Sequence, residues 1–161
     1  MAYHPGQNSL YISYHDTCEE KTASMSSDEG DTSKLILRPG IDPNAFGGIA
    51  KVNMTTGRME RFYQGRIGGN GAMLATAGDL IFWGDLNRRF RAFDAASGKI
   101  LWESILDGII QNSTITYAVN GKQYVAVLTG DGVSHTSGPL GVVPEIKPAR
   151  GHNAIYVFAL P

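Results

Sequence analysis

The residues best suited to chemistry in this sequence are a His-Asp pair and an asparagine among glycines. His15 and Asp16 follow an apolar segment, and an imidazole in such a turn can donate a hydrogen bond or, when neutral, accept a proton. Asn70 lies between Gly69 and Gly71, where its amide can pair with carbonyl and carboxylate groups and the glycines let a ligand approach the backbone. The alternatives are a surface turn for the pair and a flexible connecting loop for the asparagine.

Other arrangements of polar residues carry less chemical information. Asp131 is not followed by the alternating carboxylates that an EF-hand calcium loop requires. His135 and His152 are separated by proline-containing sequence, and no cysteine or carboxylate cluster accompanies them to complete a metal site. Cys18 is the single cysteine, so no internal disulfide is possible, and the sequence has no Cys-x-x-Cys-His for attaching a c-type haem.

Composition excludes several classes of partner. Fourteen Lys and Arg and fifteen Asp and Glu leave a net charge of -1, and no block of like charges indicates a nucleic-acid face or a polybasic membrane patch. No apolar run reaches the roughly 18 residues that a membrane helix needs. Residues 1–6 lack the basic-then-apolar pattern of a secretory signal, so we expect either an internal protein or a true beginning that lies elsewhere.

The elements that must position these residues are short strands. Twenty glycines and seven prolines indicate many turns, and segments of β-branched and aromatic residues alternate with them. The sequence predicts strands at 10–14, 47–53, 59–63, 73–76, 80–83, 90–94, 100–102, 113–119, 123–128 and 154–160. The last of these is entirely apolar, so we expect it to be buried on both faces. Polar residues at 19–33 predict a solvated loop, and 130–151 predicts a long connection.

An internal repeat organises the middle of the chain. Residues 56–58 align with 97–99, and Asn53 aligns with Asp94, at a constant offset of 41 residues. Repeats of about 40 residues with four strands each are typical of propeller blades, because one small sheet cannot bury both faces alone. Farther on, Asn120-Gly121 predicts a type I′ hairpin, since both central residues need positive φ. The predicted fold class is therefore all-β.

Three segments carry a resemblance to a known family. Residues 92–102 resemble the tryptophan docking motif of propellers that bind pyrroloquinoline quinone (PQQ), with Trp102 as its final residue. Residues 74–84 and 117–127 are similar to segments of the methanol and ethanol dehydrogenase family, in the same order. Trp102 and Trp83 are then packing residues between blades.

The resemblance implies part of an eight-bladed propeller. It extends loosely from Leu10 to Pro161 and corresponds to the last third of a family member. Residues 1–161 are then one partial domain of about two and a half to three four-stranded blades. Such a piece would leave its outer blades without neighbours and expose unpaired strand edges. We therefore expect either a fragment that needs the remaining blades or a half-propeller that completes its ring by self-association.

The resemblance also implies a chemistry. Family members hold PQQ with a calcium or lanthanide ion, oxidise alcohols or sugars, and pass electrons to a cytochrome c or quinone in the periplasm. The base and the metal ligands belong to earlier blades, so no catalytic or metal-binding residue is expected here and the chain alone should be inactive. The alternative is a non-catalytic propeller scaffold, such as an outer-membrane assembly protein.

The cofactor-binding residues implied for this chain are few. His15 or Asp16 would take the place of a family asparagine that approaches the quinone. Asn70, with Gly71 after it, falls near the position of a tryptophan in methanol-oxidising relatives. Gly132 belongs to a glycine-rich turn whose backbone would face PQQ.

Overall fold

Antiparallel sheets make up most of the computed structural model, which describes residues 1–23, 32–130, 132–147 and 151–159. The strands are β1 (Ala2–His4), β2 (Ser9–His15), β3 (Thr17–Thr22), β4 (Thr32–Leu37), β5 (Gly47–Asn53), β6 (Met59–Gly65), β7 (Leu74–Ala75), β8 (Leu80–Gly84), β9 (Arg89–Asp94), β10 (Ile100–Ile105), β11 (Thr114–Val119), β12 (Lys122–Thr129) and β13 (Ala154–Ala159). Helix α1 (Val133–Gly141) follows β12. The first sheet has the order β1-β2-β5-β6, the second β7-β8-β9-β10 and the third β11-β12-β13, while β3 and β4 form a hairpin.

The 41-residue repeat is also a structural repeat. In the turn after β5, the N–H of Gly57 donates to the carbonyl of Asn53 at 2.9 Å, and after β9 the N–H of Gly98 donates to the carbonyl of Asp94 at the same distance. Gly57 and Gly98 have φ values of 70° and 74°, which explains why both positions hold glycine. Asn120 and Gly121 have φ values of 51° and 76°, as the predicted type I′ turn requires.

Each sheet buries one face against the next. Between the first and second sheets, Tyr11 and Ile49 pack with Phe93, and the Tyr11 hydroxyl donates to the carbonyl of Ala95 at 2.6 Å. Between the second and third sheets, a second cluster contains Phe82, Phe90, Ala92, Val125 and Val127. Stacked four-stranded sheets are the arrangement of propeller blades. The prediction of an all-β fold built from about two and a half to three blades is confirmed.

The first strands of the three sheets lie side by side. β7 packs against β1 on one side and against β11 on the other. The loops that lead into these strands therefore meet at one end of the stack, close to where the sheets converge.

The segment predicted as a loop at 19–33 includes parts of two strands. β3 and β4 pair from Thr17 opposite Leu37 to Thr22 opposite Thr32, and residues 24–31 lie outside the described residues. The polar residues of β3 and of the first half of β4 gave no strand signal, whereas Leu37 at the end of β4 packs in an apolar cluster with Phe46 and Ile67.

The predicted connection at 130–151 contains a helix. α1 includes Pro139 and two glycines, which are poor helix formers, so its sequence does not show helical periodicity. Its C-terminal residues instead pack with Phe46, Ile67 and Ile109 in a third apolar cluster, and this burial stabilises the helix. Residues 131 and 148–150 lie outside the described residues.

The expectation that the last strand is buried on both faces is wrong for β13. Tyr156 and Phe158 face the second sheet, whereas Ile155 is 68% exposed and Val157 is 51% exposed. β13 pairs with β12 at the end of the described stack, and no described sheet covers its other face.

Candidate functional site

A cleft of about 680 Å³ opens where the loops before β7 and β11 meet. The end of β2 forms one wall, the loop after β6 a second, and the loop after β10 together with the residues after β12 a third. The lining residues are Met1, Ile12, Ser13, Gly69, Asn70, Gly71, Gln111, Asn112 and Gly132. Its volume is in the range of about 300–1,000 Å³ that small-molecule and cofactor sites occupy.

Hydrogen bonds hold the loop around Asn70 from several sides. The Ser13 hydroxyl donates to the carbonyl of Gly69 at 2.5 Å, and the N–H of Leu86 donates to the carbonyl of Gly68 at 3.0 Å. The N–H of Ala72 donates to the carbonyl of Asn112 at 3.1 Å. Ser13 of β2, Leu86 after β8 and Asn112 before β11 therefore hold the backbone around Asn70 in place.

A buried ion pair lies next to Leu86, one of the residues that hold this loop. Arg91 Nη1 donates to Asp85 Oδ2 at 2.7 Å, and both side chains are almost fully buried. Asp85 also accepts from the backbone N–H groups of Asn87 and Arg89 through Oδ1, at 2.9 and 3.0 Å. Because Leu86 directly follows Asp85, this network helps to place the backbone that holds the Asn70 loop.

Two glycines around the cleft allow close approach of neighbouring groups. A Cβ on Gly69 would lie 2.0 Å from the carbonyl oxygen of Gly84, a distance that no side chain tolerates. A Cβ on Gly132 would lie 2.4 Å from both amide atoms of Gln111. Position 69 therefore admits only glycine because the obstacle is backbone, whereas a side chain at position 132 would require the Gln111 amide to move.

The polar lining of the cleft consists of amides and one hydroxyl. Asn70, Gln111 and Asn112 each offer two N–H donors and one acceptor, and Ser13 contributes a hydroxyl. Such groups can hydrogen-bond to carbonyl and carboxylate oxygens. PQQ, the cofactor that the resemblance implies, carries both kinds of oxygen, so the donor set fits it. Gly71 and Gly132 leave backbone accessible beside the amides.

The structure brings together three of the five residues singled out in the sequence. Asn70, Gly71 and Gly132 line the same cleft, although Gly132 is 62 positions away from Asn70. His15 and Asp16 instead line a second groove, with Ile12 and Tyr14.

His15 lies behind the glycine loop and supports it. A Cβ on Gly68 would be 2.5 Å from Cδ2 and Nε2 of the His15 ring, and the ring meets Phe46 edge-on at 6.4 Å between centroids. Burial lowers the pKa of the His15 imidazole, which favours its neutral form. The Nε2 atom is buried and has no hydrogen-bond partner among the described residues.

Asp16 is engaged by arginines. Arg38 donates to its carboxylate through Nε at 2.5 Å and Nη2 at 2.8 Å, and Arg61 Nη2 lies 3.4 Å away. The hydrogen bonds from Arg38 lower the pKa of the Asp16 carboxyl, so it stays ionised at neutral pH.

Sequence reasoning missed Gln111 and Asn112. The signal was present in the repeat, because Gln111 follows Asn70 by the same 41 residues that separate the two blade turns. Its use required recognising that the repeat continues through loops as well as through strands.

The described residues offer no metal centre of their own. Within them, no group of three or more His, Cys, Asp and Glu side chains could hold a metal ion. Asp131 and the side chain of His135 lie outside the description, and His152 is exposed. In the same part of the chain, no helix is long and apolar enough to cross a membrane.

Stacked antiparallel sheets of four, four and three strands, with a cleft beside their first strands, define a segment of a propeller. Residues 44–125 match the family described as the glucose/ethanol/alcohol dehydrogenase β-propeller domain, abbreviated PQQ, and this span is just over half of the chain. The chain belongs to this family of PQQ-dependent dehydrogenase propellers, and the resemblance seen in the sequence is confirmed.

Individual relatives agree with this assignment. Over 91 residues, or 56% of the chain, it is 37% identical to the 1-butanol dehydrogenase (cytochrome c) of Thauera butanivorans. Over the same length it is 49% identical to the dehydrogenase subunit of the quinone alcohol dehydrogenase of Gluconacetobacter polyoxogenes. The matched segment spans 12% of the length of each relative.

A solved structure shares the fold. A europium-containing methanol dehydrogenase superposes with a TM-score of 0.76 at 24% identity. The superposition covers 99% of this chain and 32% of the solved chain.

Proposed function

We propose that this chain forms a cofactor-binding part of a PQQ-dependent alcohol dehydrogenase, and that its amide-lined cleft holds one side of PQQ. The observation that carries the proposal is the convergence of Asn70, Gly71 and Gly132 on one cleft. Gly132 is far from Asn70 and Gly71 in the sequence, so only the fold brings these residues together. His15 then acts as a support for the loop, and Asp16 as part of the arginine-paired surface.

When bound, PQQ supplies the redox step by taking the equivalent of a hydride from the alcohol. The residues of this chain bind and orient. The Asn70 amide donates hydrogen bonds to carbonyl or carboxylate oxygens, and the backbone at Gly71 and Gly132 allows close approach. Ser13 holds the Gly69 carbonyl, which keeps the loop rigid. Fixed dipoles of this kind bind a polar ligand without having to reorganise.

The proposed substrate is an alcohol, and the proposed electron acceptor is a cytochrome c. The names of the relatives support both, since they include a 1-butanol dehydrogenase that uses cytochrome c. They give no corresponding support for a sugar substrate or for a non-catalytic scaffold. The catalytic base and the ligands of a calcium or lanthanide ion are proposed to lie outside this cleft. The proposed location of the enzyme is the periplasm.

Cofactor binding tests the proposal directly. The purified chain is titrated with PQQ, with and without calcium or a lanthanide, and binding is followed by PQQ absorbance and tryptophan fluorescence. We expect saturable binding that Asn70→Ala weakens by roughly tenfold or more, the value of one hydrogen bond to a charged group. Asn44→Ala, at an exposed residue that does not line the cleft, is the matched control. No saturable binding by the unaltered chain would count against the proposal.

Substrate class is tested by dye-linked oxidation in a PQQ-loaded complex of this chain with the remaining blades, because the chain alone is expected to be inactive. Turnover of 1-butanol above that of an aldose sugar would support the alcohol assignment. A preference for the aldose would contradict it.

A further inference from the structure

Gln111 holds the place in the third sheet that Asn70 holds in the second. It lies 41 residues farther along the chain, in the loop that leads into β11, whereas Asn70 lies in the loop that leads into β7. β7 and β11 are packed against each other, so the two loops meet, and both residues line the cleft. The repeat therefore presents a primary amide to the cleft from each of two neighbouring sheets.

The Gln111 side chain packs directly beside Gly132 on the same wall of the cleft. Its Oε1 and Nε2 atoms lie 2.4 Å from where a Cβ on Gly132 would stand, and its Cδ lies 2.6 Å from the same point. Any other residue at 132 would have to displace this amide. The neighbouring Asn112 is held through its carbonyl by the N–H of Ala72, which fixes the backbone beside Gln111.

The chemistry of the cleft assigns a role to this amide. No Asp, Glu, Lys, Arg or His side chain is among the lining residues of the described chain. The described side chains of the lining therefore offer neutral donors to an anionic, carbonyl-rich ligand, and a primary amide supplies two N–H groups for that purpose. Hydrogen bonds from neutral donors to charged oxygens are stronger than those between two neutral groups.

We propose that Gln111 is a second cofactor-recognition residue, which faces Asn70 across the cleft and donates a hydrogen bond to an oxygen of PQQ. This inference rests on the proposed function of the cleft. Consecutive repeats then contribute equivalent amides, and the ligand accepts hydrogen bonds from two neighbouring sheets.

Two substitutions of nearly the same size separate hydrogen bonding from packing. Gln111→Met keeps the volume beside Gly132 and removes the amide, and Gln111→Glu keeps the shape and replaces the donor by a carboxylate. Gln123→Met is the matched control, because Gln123 is exposed on β12 and its amide donates to the Thr116 hydroxyl at 2.8 Å. PQQ binding to the full chain is measured by absorbance, with circular dichroism and urea unfolding to check folding.

We expect Gln111→Met to weaken PQQ binding by roughly tenfold or more, because one hydrogen bond to a charged oxygen is lost. Gln111→Glu should weaken it further at pH 7 and recover part of the loss near pH 4, where its carboxyl becomes protonated and can donate. Gln123→Met should bind like the unaltered chain.

The outcomes distinguish this inference from the proposed function. If the unaltered chain does not bind PQQ, the proposed function fails and the role of Gln111 fails with it. If the unaltered chain binds and folded Gln111→Met and Gln111→Glu bind equally well, the role of Gln111 is wrong while the proposed function stands. Tight binding by Gln111→Glu at pH 7 would also overturn the donor role, even if Gln111→Met binds poorly.

Discussion

The indole of Trp102 on β10 meets the ring of Phe158 on β13 edge-on, with 4.9 Å between ring centroids. Trp102 also meets Phe90 of its own sheet edge-on at 6.0 Å. The tryptophan therefore links the second sheet to the third, as the docking motif predicts. Trp102 is nonetheless 38% exposed, because it lies at the rim of this interface, whereas Trp83 is fully buried between the first and second sheets.

Trp102→Ala should therefore destabilise the chain less than Trp83→Ala. Removing a fully buried aromatic ring costs about 3–5 kcal/mol, and we expect a free-energy loss near that range for Trp83→Ala. For Trp102→Ala we expect about 2 kcal/mol, because part of the ring is already in water. Urea unfolding of both variants measures the difference. Equal losses would contradict a rim position for Trp102.

Arg91→Met should strongly destabilise the second sheet. The substitution leaves the Asp85 carboxylate buried without its cation, and breaking a buried pair in this way costs about 3–5 kcal/mol. Adding Asp85→Asn should restore part of the loss, because the buried charge is then removed as well.

Arg61→Met is the control for this prediction. Arg61 pairs with Asp16 at 3.4 Å on the surface, and its side chain is largely exposed. Exposed pairs contribute about 0–1 kcal/mol, so unfolding in urea should change little. A small loss for Arg91→Met would mean that the buried pair is replaceable by apolar packing.

His15 should make the stability of the chain depend on pH. Burial depresses the pKa of its imidazole below the ordinary value of 6.5 in the folded state. As pH falls below that value the unfolded chain therefore binds a proton first. The free energy of unfolding should then decline until the pH reaches the folded-state pKa.

The variant His15→Gln isolates this contribution from the other histidines. Urea unfolding at pH 8 and pH 5.5 should show a smaller loss on acidification in the variant than in the unaltered chain. The same loss in both proteins would assign the pH dependence to other groups.

Much of the local structure was predictable because it depends on neighbouring residues. The turns that begin at Asn53 and Asp94 are built from hydrogen bonds within six residues, so their sequence pattern alone identified the repeat. Pairing from Val119 opposite Lys122 to Thr114 opposite Val127 followed from the hairpin turn between the strands. The family resemblance rests on these same local segments.

The site was predictable only in part. Asn70 and Gly132 were identified through resemblance, but Gln111 was not, because the repeat alone does not show which loops meet. Asp16 was expected near the cofactor, and its pairing with Arg38 depends on the β3–β4 hairpin, much of which lies in the segment predicted as a loop.

The sequence by itself determined the all-β class, the 41-residue repeat and the family, since each depends on short-range patterns of turns and strands. Tertiary structure decided which loops converge, which face of β13 is covered and where α1 packs. These features depend on sheets stacking against one another across long separations in the chain. The cleft exists because that stacking brings β1, β7 and β11 together, and no local pattern encodes their proximity.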